Sequence, residues 1–454
     1  MATPTQPERR LLAAGAIKGA TWGTAVALGA GYGVTIESDG GLARKQNYLP
    51  AKEADTPFIK EGDLGAVNAV DFNPPFAMRY DPGALGTIIA LLFGTAGVPN
   101  AQFTITNANK YINFDEGAAE LTGTVAVATY SGTTLATAIA AALNGAVGKA
   151  LTYTCTYSAS TRKFTIGAGA NFTIRWMTGT NMATDISTLC GYSDAANDTG
   201  AASYASDTAV GTAYKHVVRW ADSIYGNFVT FAVERPSKIY EVASAKPMGL
   251  DISVANGIIK GVINLRGDTV IDTSVINTAT EVDALTYQDR YNRVKFTEAS
   301  VKMNGQGDGN VASETALECS NISISMKRPC DAVFAAGGTK IIEPAESDHP
   351  AVTIKLDFPR MNTVNAAYLA TLIAETEQKL LIAFTGATIE SPHTYSWKFF
   401  FPRARIIDIQ YPLNEVVPSS ITLQVEEAAA APTGMDYARM YMEIINTKTT
   451  DYLA

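Results

Sequence analysis

An internal repeat constrains this 454-residue chain more than any single motif does. In the first half, a strand followed by Pro74-Pro75 leads into an apolar, helix-like segment at 84–93. In the second half, the strand VTIKLDFP ends at Pro359 and is followed by a helix-like segment at 366–378. Each half then continues with a strand, a proline, a further strand and a final β-rich strand. Four elements in the same order predict a duplicated domain.

Short runs of β-branched or alternating residues, bounded by Gly, Pro, Asn or Asp, predict antiparallel strands joined by turns. These runs are 33–38, 228–234, 258–267, 294–303, 320–327, 352–358, 396–401, 405–411 and 420–426. In the first half the strands at 228–234 and 238–247 are the expected counterparts of 396–401 and 405–411. We expect a mainly β (α+β) fold with two tandem β-sandwich or barrel domains, each with one helix.

A small α+β domain is expected as an insertion in the first copy, at 99–214, where the composition shifts to Thr, Ala and Gly with little charge. Apolar residues at four-residue steps predict an amphipathic helix over 133–147. The run 153–176 predicts a hairpin followed by another strand, and 181–192 predicts a short helix.

The domain boundaries follow from the repeat and the insertion. The first domain comprises 1–98 and 215–280, the second comprises 281–432, and 433–454 forms a C-terminal arm. The arm is rich in Met, Tyr and Ile, which indicates docking onto a partner or back onto its own chain.

The charge balance limits the partners. There are 35 Lys and Arg against 44 Asp and Glu, a net charge of −9, so no global basic field exists to hold nucleic acid tightly. Passing contact with DNA stays compatible with this charge. Charged residues make up 17% of the chain, below the roughly 25% typical of soluble proteins. This low value favours a surface that is covered in part by other subunits.

Residues that carry chemistry are scattered. Four cysteines without a CxxC pair and three isolated histidines predict neither a disulfide framework nor a zinc site; they are Cys155, Cys190, Cys319, Cys330, His216, His349 and His393. The glycines at 29–33 have the wrong spacing for a dinucleotide fingerprint. No hydrolase or metalloprotease motif occurs. We expect no enzyme and no catalytic, cofactor-binding or metal-binding residues.

The loop 303–310 resembles a calcium-binding loop in one respect only. Asn304, Gln306 and Asp308 alternate ahead of Gly309, but Thr315 stands where the closing Glu is needed. A tight glycine-rich hairpin turn is the favoured interpretation.

The N-terminus imitates a secretion signal, because Arg9-Arg10 precedes an apolar stretch. Lys18 and Trp22 interrupt that stretch, so we expect no signal peptide. The apolar segment 84–98 is shorter than the roughly 20 residues that a membrane span needs. We expect a soluble protein with no membrane insertion.

This order of elements resembles the major tail tube proteins of long-tailed (siphovirus-type) bacteriophages, in particular the duplicated T5-like subunit. The resemblance covers 23–92, 215–270 and 294–427 and rests on element order, not on a sequence signature. It implies tail-tube-type domains, homotrimeric rings with six domains around a channel, and stacking of rings through the loops 37–65 and 327–350. It places the insert on the tube exterior, whereas the decoration domain of the T5-like subunit is C-terminal.

The resemblance also implies partners and a location. The chain would contact copies of itself, the tape measure protein, and the tail terminator and distal tail proteins of the same virion. Phage DNA would pass through the lumen without tight binding, and an acidic lumen is one hypothesis for that. The protein would be a virion component assembled in the bacterial host cytoplasm.

The alternative is a binding module of a phage baseplate, a fibre or a bacterial surface. Its insert would recognise a glycan through an aromatic cleft around Trp176, Tyr192 and Tyr204. Burial of these rings in the core of the insert is the other interpretation of the same residues.

Overall fold

In the computed structural model of the protein, the structure describes residues 13–43, 47–50, 62–66, 69–235, 238–287, 292–410 and 419–453. Strands dominate these residues and the helices are short, so the expected mainly β fold is confirmed. Apart from a two-stranded hairpin in each repeat, the strands of both repeats lie in a single antiparallel sheet.

The elements before and within the insert are β1 (Ala13–Lys18), β2 (Asn47–Pro50), β3 (Gly62–Ala66), β4 (Val70–Phe72), β5 (Pro75–Ala77), α1 (Ala84–Phe93), β6 (Pro99–Thr104), β7 (Tyr111–Asp115), β8 (Leu121–Thr124), β9 (Thr129–Ser131), α2 (Gly132–Asn144), β10 (Tyr153–Ser158), β11 (Lys163–Ile174), α3 (Ser187–Cys190) and β12 (Asp198–Ala205). The first repeat is completed by β13 (Tyr214–Arg219), β14 (Val229–Arg235), β15 (Lys238–Val254), β16 (Lys260–Gly267) and α4 (Ala279–Asp283).

The second repeat and the C-terminal segment contain β17 (Ala299–Gly305), β18 (Asn321–Lys327), β19 (Cys330–Val333), β20 (Ile342–Glu346), β21 (Ala351–Phe358), α5 (Thr363–Ala366), α6 (Tyr368–Ile373), β22 (Gln378–Glu390), β23 (His393–Gln410), β24 (Ser419–Glu426) and β25 (Tyr441–Asn446). Single 3-10 turns occur at Met182–Thr184, Phe296–Glu298 and Val311–Ser313.

The main sheet runs in the order β1-β14-β15-β18-β21-β24-β23-β25-β13-β6-β9, with β16 paired to β15, β4 and β5, and β17 paired to β22. Strand β18 of the second repeat therefore pairs directly with β15 of the first, for example with Ile324 opposite Ile252. Alternate residues of both strands are buried in one continuous core. The two repeats are thus joined by main-chain pairing as well as by packing.

The repeats match down to the position of a β-bulge. The hairpins β14–β15 and β22–β23 have the same register shift, which places two residues of one strand against three of the other. The equivalent pairs are Val229–Ala245 and Phe231–Val242 in the first repeat, and Gln378–Ala404 and Leu380–Phe401 in the second.

A second bulge is repeated in the next hairpin, between β15 and β16 and between β23 and β24. The equivalent pairs are Pro247–Leu265 and Gly249–Asn264, against Ile406–Leu423 and Asp408–Thr422. These registers make Lys246 equivalent to Arg405 and Asp268 equivalent to Glu426.

The expected pairing of elements between the copies is wrong by one strand. The runs 396–401 and 405–411 were expected as two strands, but they form the single 18-residue strand β23, which is the counterpart of β15. Pro402 lies at the bulge of β23, where a residue without an N–H is tolerated inside a sheet. The counterpart of β14 is therefore β22 and not the run 396–401.

Two other expected elements differ in extent. The run 33–38 forms isolated bridges at Gly33 and Ile36 instead of a regular strand. The helix expected over 366–378 is replaced by the short helices α5 and α6, which end before β22 begins.

The insert has its own core, built on the sheet β8-β7-β11 with β10 and β12 along β11. The predicted helix over 133–147 is present as α2, with Leu135, Ile139 and Leu143 buried and a Ser131 capping box at its start. Strands β6 and β13 pair at its two ends, so the insert grows out of the main sheet and is not separated from it by a linker.

The C-terminal segment belongs to the fold of its own chain. Strand β25 lies between β23 and β13, and so joins the second repeat to the base of the insert. Tyr452 is fully buried against His216 and the helix α1. The segment is therefore docked on its own chain through residue 453, within the described part of the protein.

Candidate assembly interface

The aromatic residues of the insert do not form a cleft. Trp176 and Tyr192 are buried and stack with their ring centroids 5.0 Å apart. Trp176 Nε1 donates to Asp198, and Tyr204 Oη donates to the carbonyl of Phe172. These rings belong to the core of the insert, which leaves the glycan hypothesis without its expected site.

The loop 303–310 already holds a cation from its own chain. Lys379 is fully buried, and its Nζ donates to the carbonyls of Asp308 at 2.8 Å, Thr433 at 3.2 Å and Gln306 at 3.3 Å. Burial lowers the pKa of this ammonium. The ammonium of Lys379 therefore places a positive charge against this loop, which disfavours a calcium ion there.

The cysteines and histidines of the described residues do not gather into one cluster, although Cys155 and Cys190 lie near each other in the insert. Within the described residues, no group of three or more His, Cys, Asp or Glu side chains could hold a metal ion. All four cysteines are free, and burial raises the pKa of Cys155 to about 12, which removes it as a nucleophile. His216 is fully buried between the carbonyls of Gly97 and Lys448.

The most developed polar arrangement is the contact between the two repeats. Here the hairpin β19–β20 of the second repeat lies against the first repeat. Lys246 of β15 is 1% exposed and pairs with Glu343, which also accepts a hydrogen bond from the backbone of Gly226. Unpaired burial of an ammonium is costly, so this pair requires the hairpin to be in place.

Arg328, at the end of β18, is the second buried cation of this contact. Its Nη1 lies 2.7 Å from Glu346, and its guanidinium lies 4.4 Å from the ring centroid of Trp220. A further N–H donates to the carbonyl of Ala221. Glu346 also accepts a hydrogen bond from the backbone N–H of Ile224. This one carboxylate therefore links Arg328 to the loop around Ile224 in the first repeat.

A third ion pair has the opposite arrangement of charges, with the acid in the first repeat and the cation in the hairpin loop. Asp268 of the first repeat is fully buried, and its Oδ2 lies 3.1 Å from Nζ of Lys340 in the hairpin loop. Trp22 Nε1 also donates to the carbonyl of Ile341. The loop 327–350, which the resemblance assigned to ring stacking, is thus bound along much of its length to the first repeat of its own chain. About half of the loop 37–65, residues 44–46 and 51–61, lies outside the described residues.

The counterpart positions on the second repeat are only half-buried. Arg405, equivalent to Lys246, is 34% exposed and lies 2.8 Å from Glu377 and 3.5 Å from Glu426. Glu426 is the equivalent of Asp268 and is itself 38% exposed. These charges pair with one another at the surface because no second hairpin covers them among the described residues.

The strand edge beside these charges is open as well. In the first repeat, residues 249–254 of β15 pair with β18. The equivalent residues of β23, from 408 onward, pair with β24 on one edge, and no described strand pairs with the other. Ile407 next to this edge is 54% exposed.

Helix α6, which packs against β23, adds apolar surface at the same place. Its Leu369 and Ile373 are 44% and 75% exposed, although both are large aliphatic residues. Together, the charges, the open edge and these apolar side chains define what we call the open face: Leu369, Ile373, Glu377, Arg405, Glu426 and residues 407–410.

One side of the main sheet is polar across both repeats. The strands β16, β15, β18, β21, β24 and β23 are adjacent, and their residues facing away from the core are largely Ser, Thr, Asn and Gln together with Lys, Arg, Asp and Glu. The acids on this side are paired: Asp251 accepts from Ser325 and Asn264, and Asp357 accepts from Asn321 and lies 3.4 Å from Lys355. This polar face carries both charge signs.

Comparison with known proteins identifies no family. No protein-family model matches the chain, and no curated protein matches it. Among the helices of the described residues, none combines the length and the apolar character needed to cross a membrane.

Sequence reasoning found none of the residues of the inter-repeat contact. Lys246 stands in the otherwise apolar run 242–252, and a lone cation in a buried strand is a usable signal. Arg328 and Asp268 stand next to turns, where charge is ordinary. Their burial follows from the pairing of β15 with β18, which brings together residues about 70 positions apart in sequence.

Proposed function

We propose that this protein is the structural subunit of a bacteriophage tail tube, which oligomerises into stacked rings around a channel for DNA. One observation carries the proposal: the contact between repeats is made once inside the chain, and no described strand covers the same positions on the second repeat. A contact between two different faces can be repeated from chain to chain, because every copy presents both faces.

Closure of the ring follows from the same geometry. A head-to-tail contact gives a ring if the rotation closes and a filament if it does not. Three chains would supply six repeats, as in the duplicated tail tube subunits that the order of elements resembles. Closure would also remove the open edges of the sheet, which otherwise invite aggregation.

The polar face is suited to line a channel for DNA. Its hydroxyl and amide groups and its paired charges provide no cluster of free cations to hold phosphates. The lining would carry charges of both signs, where the sequence hypothesis expected an acidic lumen. The proposal includes as partners the tape measure protein and the terminator and distal tail proteins, and it includes the virion as the location.

The binding-module alternative lacks a comparable observation. Trp176 and Tyr192 are buried in the core of the insert and Tyr204 is half-buried against it, so these three rings form no open cleft.

Negative-stain electron microscopy of the purified full-length chain, at low and high concentration, tests the proposal. We expect three-lobed rings with a central hole, or hollow tubes, at high concentration. Compact monomers at all concentrations would refute it, and trimers without a channel would favour the binding module.

A further inference from the structure

The open face has a counterpart inside the same molecule that shows how such a face is covered. In the first repeat, strand β18 pairs along β15, and the hairpin β19–β20 supplies partners to Lys246 and Asp268. In the second repeat the equivalent Arg405 and Glu426 are only half-buried. Because both bulges are conserved, these positions correspond residue by residue.

The covering element in the chain always comes from the repeat that follows. Strand β18 and the hairpin β19–β20 lie between β17 and β21 of the second repeat. The first repeat has a segment in the same place, between β1 and β4, and it also contains a hairpin, β2–β3. Ile36 forms a β-bridge with Phe76, and this bridge corresponds to the pairing of the start of β18 with β21 in the second repeat.

In the first repeat this segment leaves the sheet early. Gly40 and Gly41 both have positive φ, 67° and 82°, at positions equivalent to the middle of β18. The chain turns there, and Asp39 pairs with Arg235. Among the described residues, β2 and β3 pair only with each other.

We propose that the open face of the second repeat binds the first repeat of another copy of this chain. Residues 37–43 and the strands β2 and β3 of that copy would take the place that β18–β20 take inside the chain. The inference rests on the proposed function in that it assumes assembly, and it identifies the face and the occupant.

The chemistry of the open face fits this occupant. The in-chain contact uses charges of both signs, and the open face presents both in Arg405, Glu377 and Glu426. The sequence 44–63 of the first repeat also carries both signs, with four cations and four acids. Leu369 and Ile373 provide an apolar area that a second copy would remove from water.

The test compares variants of the full-length protein by mass photometry and negative-stain microscopy. We expect Ile373→Asp and Ile407→Asp to raise the concentration needed for assembly at least tenfold. The control is Val147→Asp in the insert, where the side chain is 94% exposed, and it should assemble like wild type. Unfolding midpoints in urea check that the variants are folded. We expect wild-type midpoints, because both target side chains are exposed.

Hydrogen exchange on assembled wild-type protein identifies the occupant. We expect amides of 407–410 and amides of both strands of the hairpin β2–β3 to become protected together. Protection of 407–410 alone would mean that two second repeats meet, and would overturn the inference.

The remaining outcomes separate the two proposals. Rings or tubes that form equally well from Ile373→Asp and Ile407→Asp would overturn the inference and leave the proposed function standing. A wild-type protein that stays monomeric at every concentration would overturn both.

Discussion

Lys246 and Arg405 occupy equivalent positions in two copies of the same fold, yet one is buried and the other exposed. Lys246 is 1% exposed and paired with Glu343, whereas Arg405 is 34% exposed and shares Glu377 and Glu426 with its surface neighbours. The local strand geometry is the same in both, including the bulges. The difference comes entirely from what lies across the strand edge, so burial here is a property of the neighbour.

Replacing the buried cation should have the largest effect. We expect Lys246→Ala to lower the free energy of unfolding by about 3–5 kcal/mol, because the Glu343 carboxylate would be left in the contact without its paired cation. Arg405→Ala at the equivalent exposed position should cost at most about 1 kcal/mol. Urea unfolding of the two variants at low protein concentration measures the difference. Equal losses would mean that the two faces are not energetically distinct.

The C-terminal segment covers the other edge of β23, and its removal should also be costly. Tyr452 is fully buried, stacks on His216 and hydrogen-bonds Asn446. We expect Tyr452→Ala to lower the free energy of unfolding by about 3–5 kcal/mol, the range for deleting a large buried side chain. Val147→Ala is the control, with an expected change within about 0.5 kcal/mol. A tyrosine variant as stable as the control would show that the segment detaches freely.

Lys379 and its first-repeat equivalent, Thr230, are both buried, but they satisfy different partners. Thr230 donates to Ala243 of its own hairpin, whereas Lys379 donates to three carbonyls around the loop 303–310. We expect Lys379→Met to cost about 1–3 kcal/mol, because buried carbonyls lose their donor. Thermal unfolding of wild type with calcium or with a chelator should give the same midpoint. A calcium-dependent rise would revive the cation site.

The smallest expected effect is a pH dependence that originates at His216. Burial is the main cause that lowers its pKa, although the carbonyls of Gly97 and Lys448 oppose the shift. The folded state then prefers the neutral ring, so its contribution is present above the unfolded pKa of about 6.5 and is lost as pH falls below it. Urea unfolding at pH 7.5 and 5.5 should show a smaller acid loss for His216→Gln than for wild type. An equal loss would assign the acid sensitivity to other groups.

Much of the fold was predictable because its elements carry local signals. The four-residue apolar spacing in 133–147 predicted α2, and alternation predicted β18, β21 and β24 near their observed bounds. The repeat was visible in the order of elements. The pairing of copies was shifted because Pro402 was interpreted as a strand end, while a bulge allows it inside β23.

The candidate interface was not predictable from local pattern. Arg328 precedes a proline and Asp268 follows a glycine, which are ordinary surface contexts. Both are fully buried because strands and loops distant in sequence meet there. The same applies to Lys379, whose carbonyl partners come from the loop 303–310 and from Thr433.

The sequence by itself determined the β-rich class, the duplicated order of elements, the insertion and the lack of a local catalytic or metal-binding motif, because these depend on periodicity, composition and spacing along the chain. The tertiary structure alone decided which of two equivalent cations is buried, which strand edge is covered and which remains open. Strand pairing brings together residues that no local pattern connects, and a charge is stable in the interior only where that pairing provides its partner.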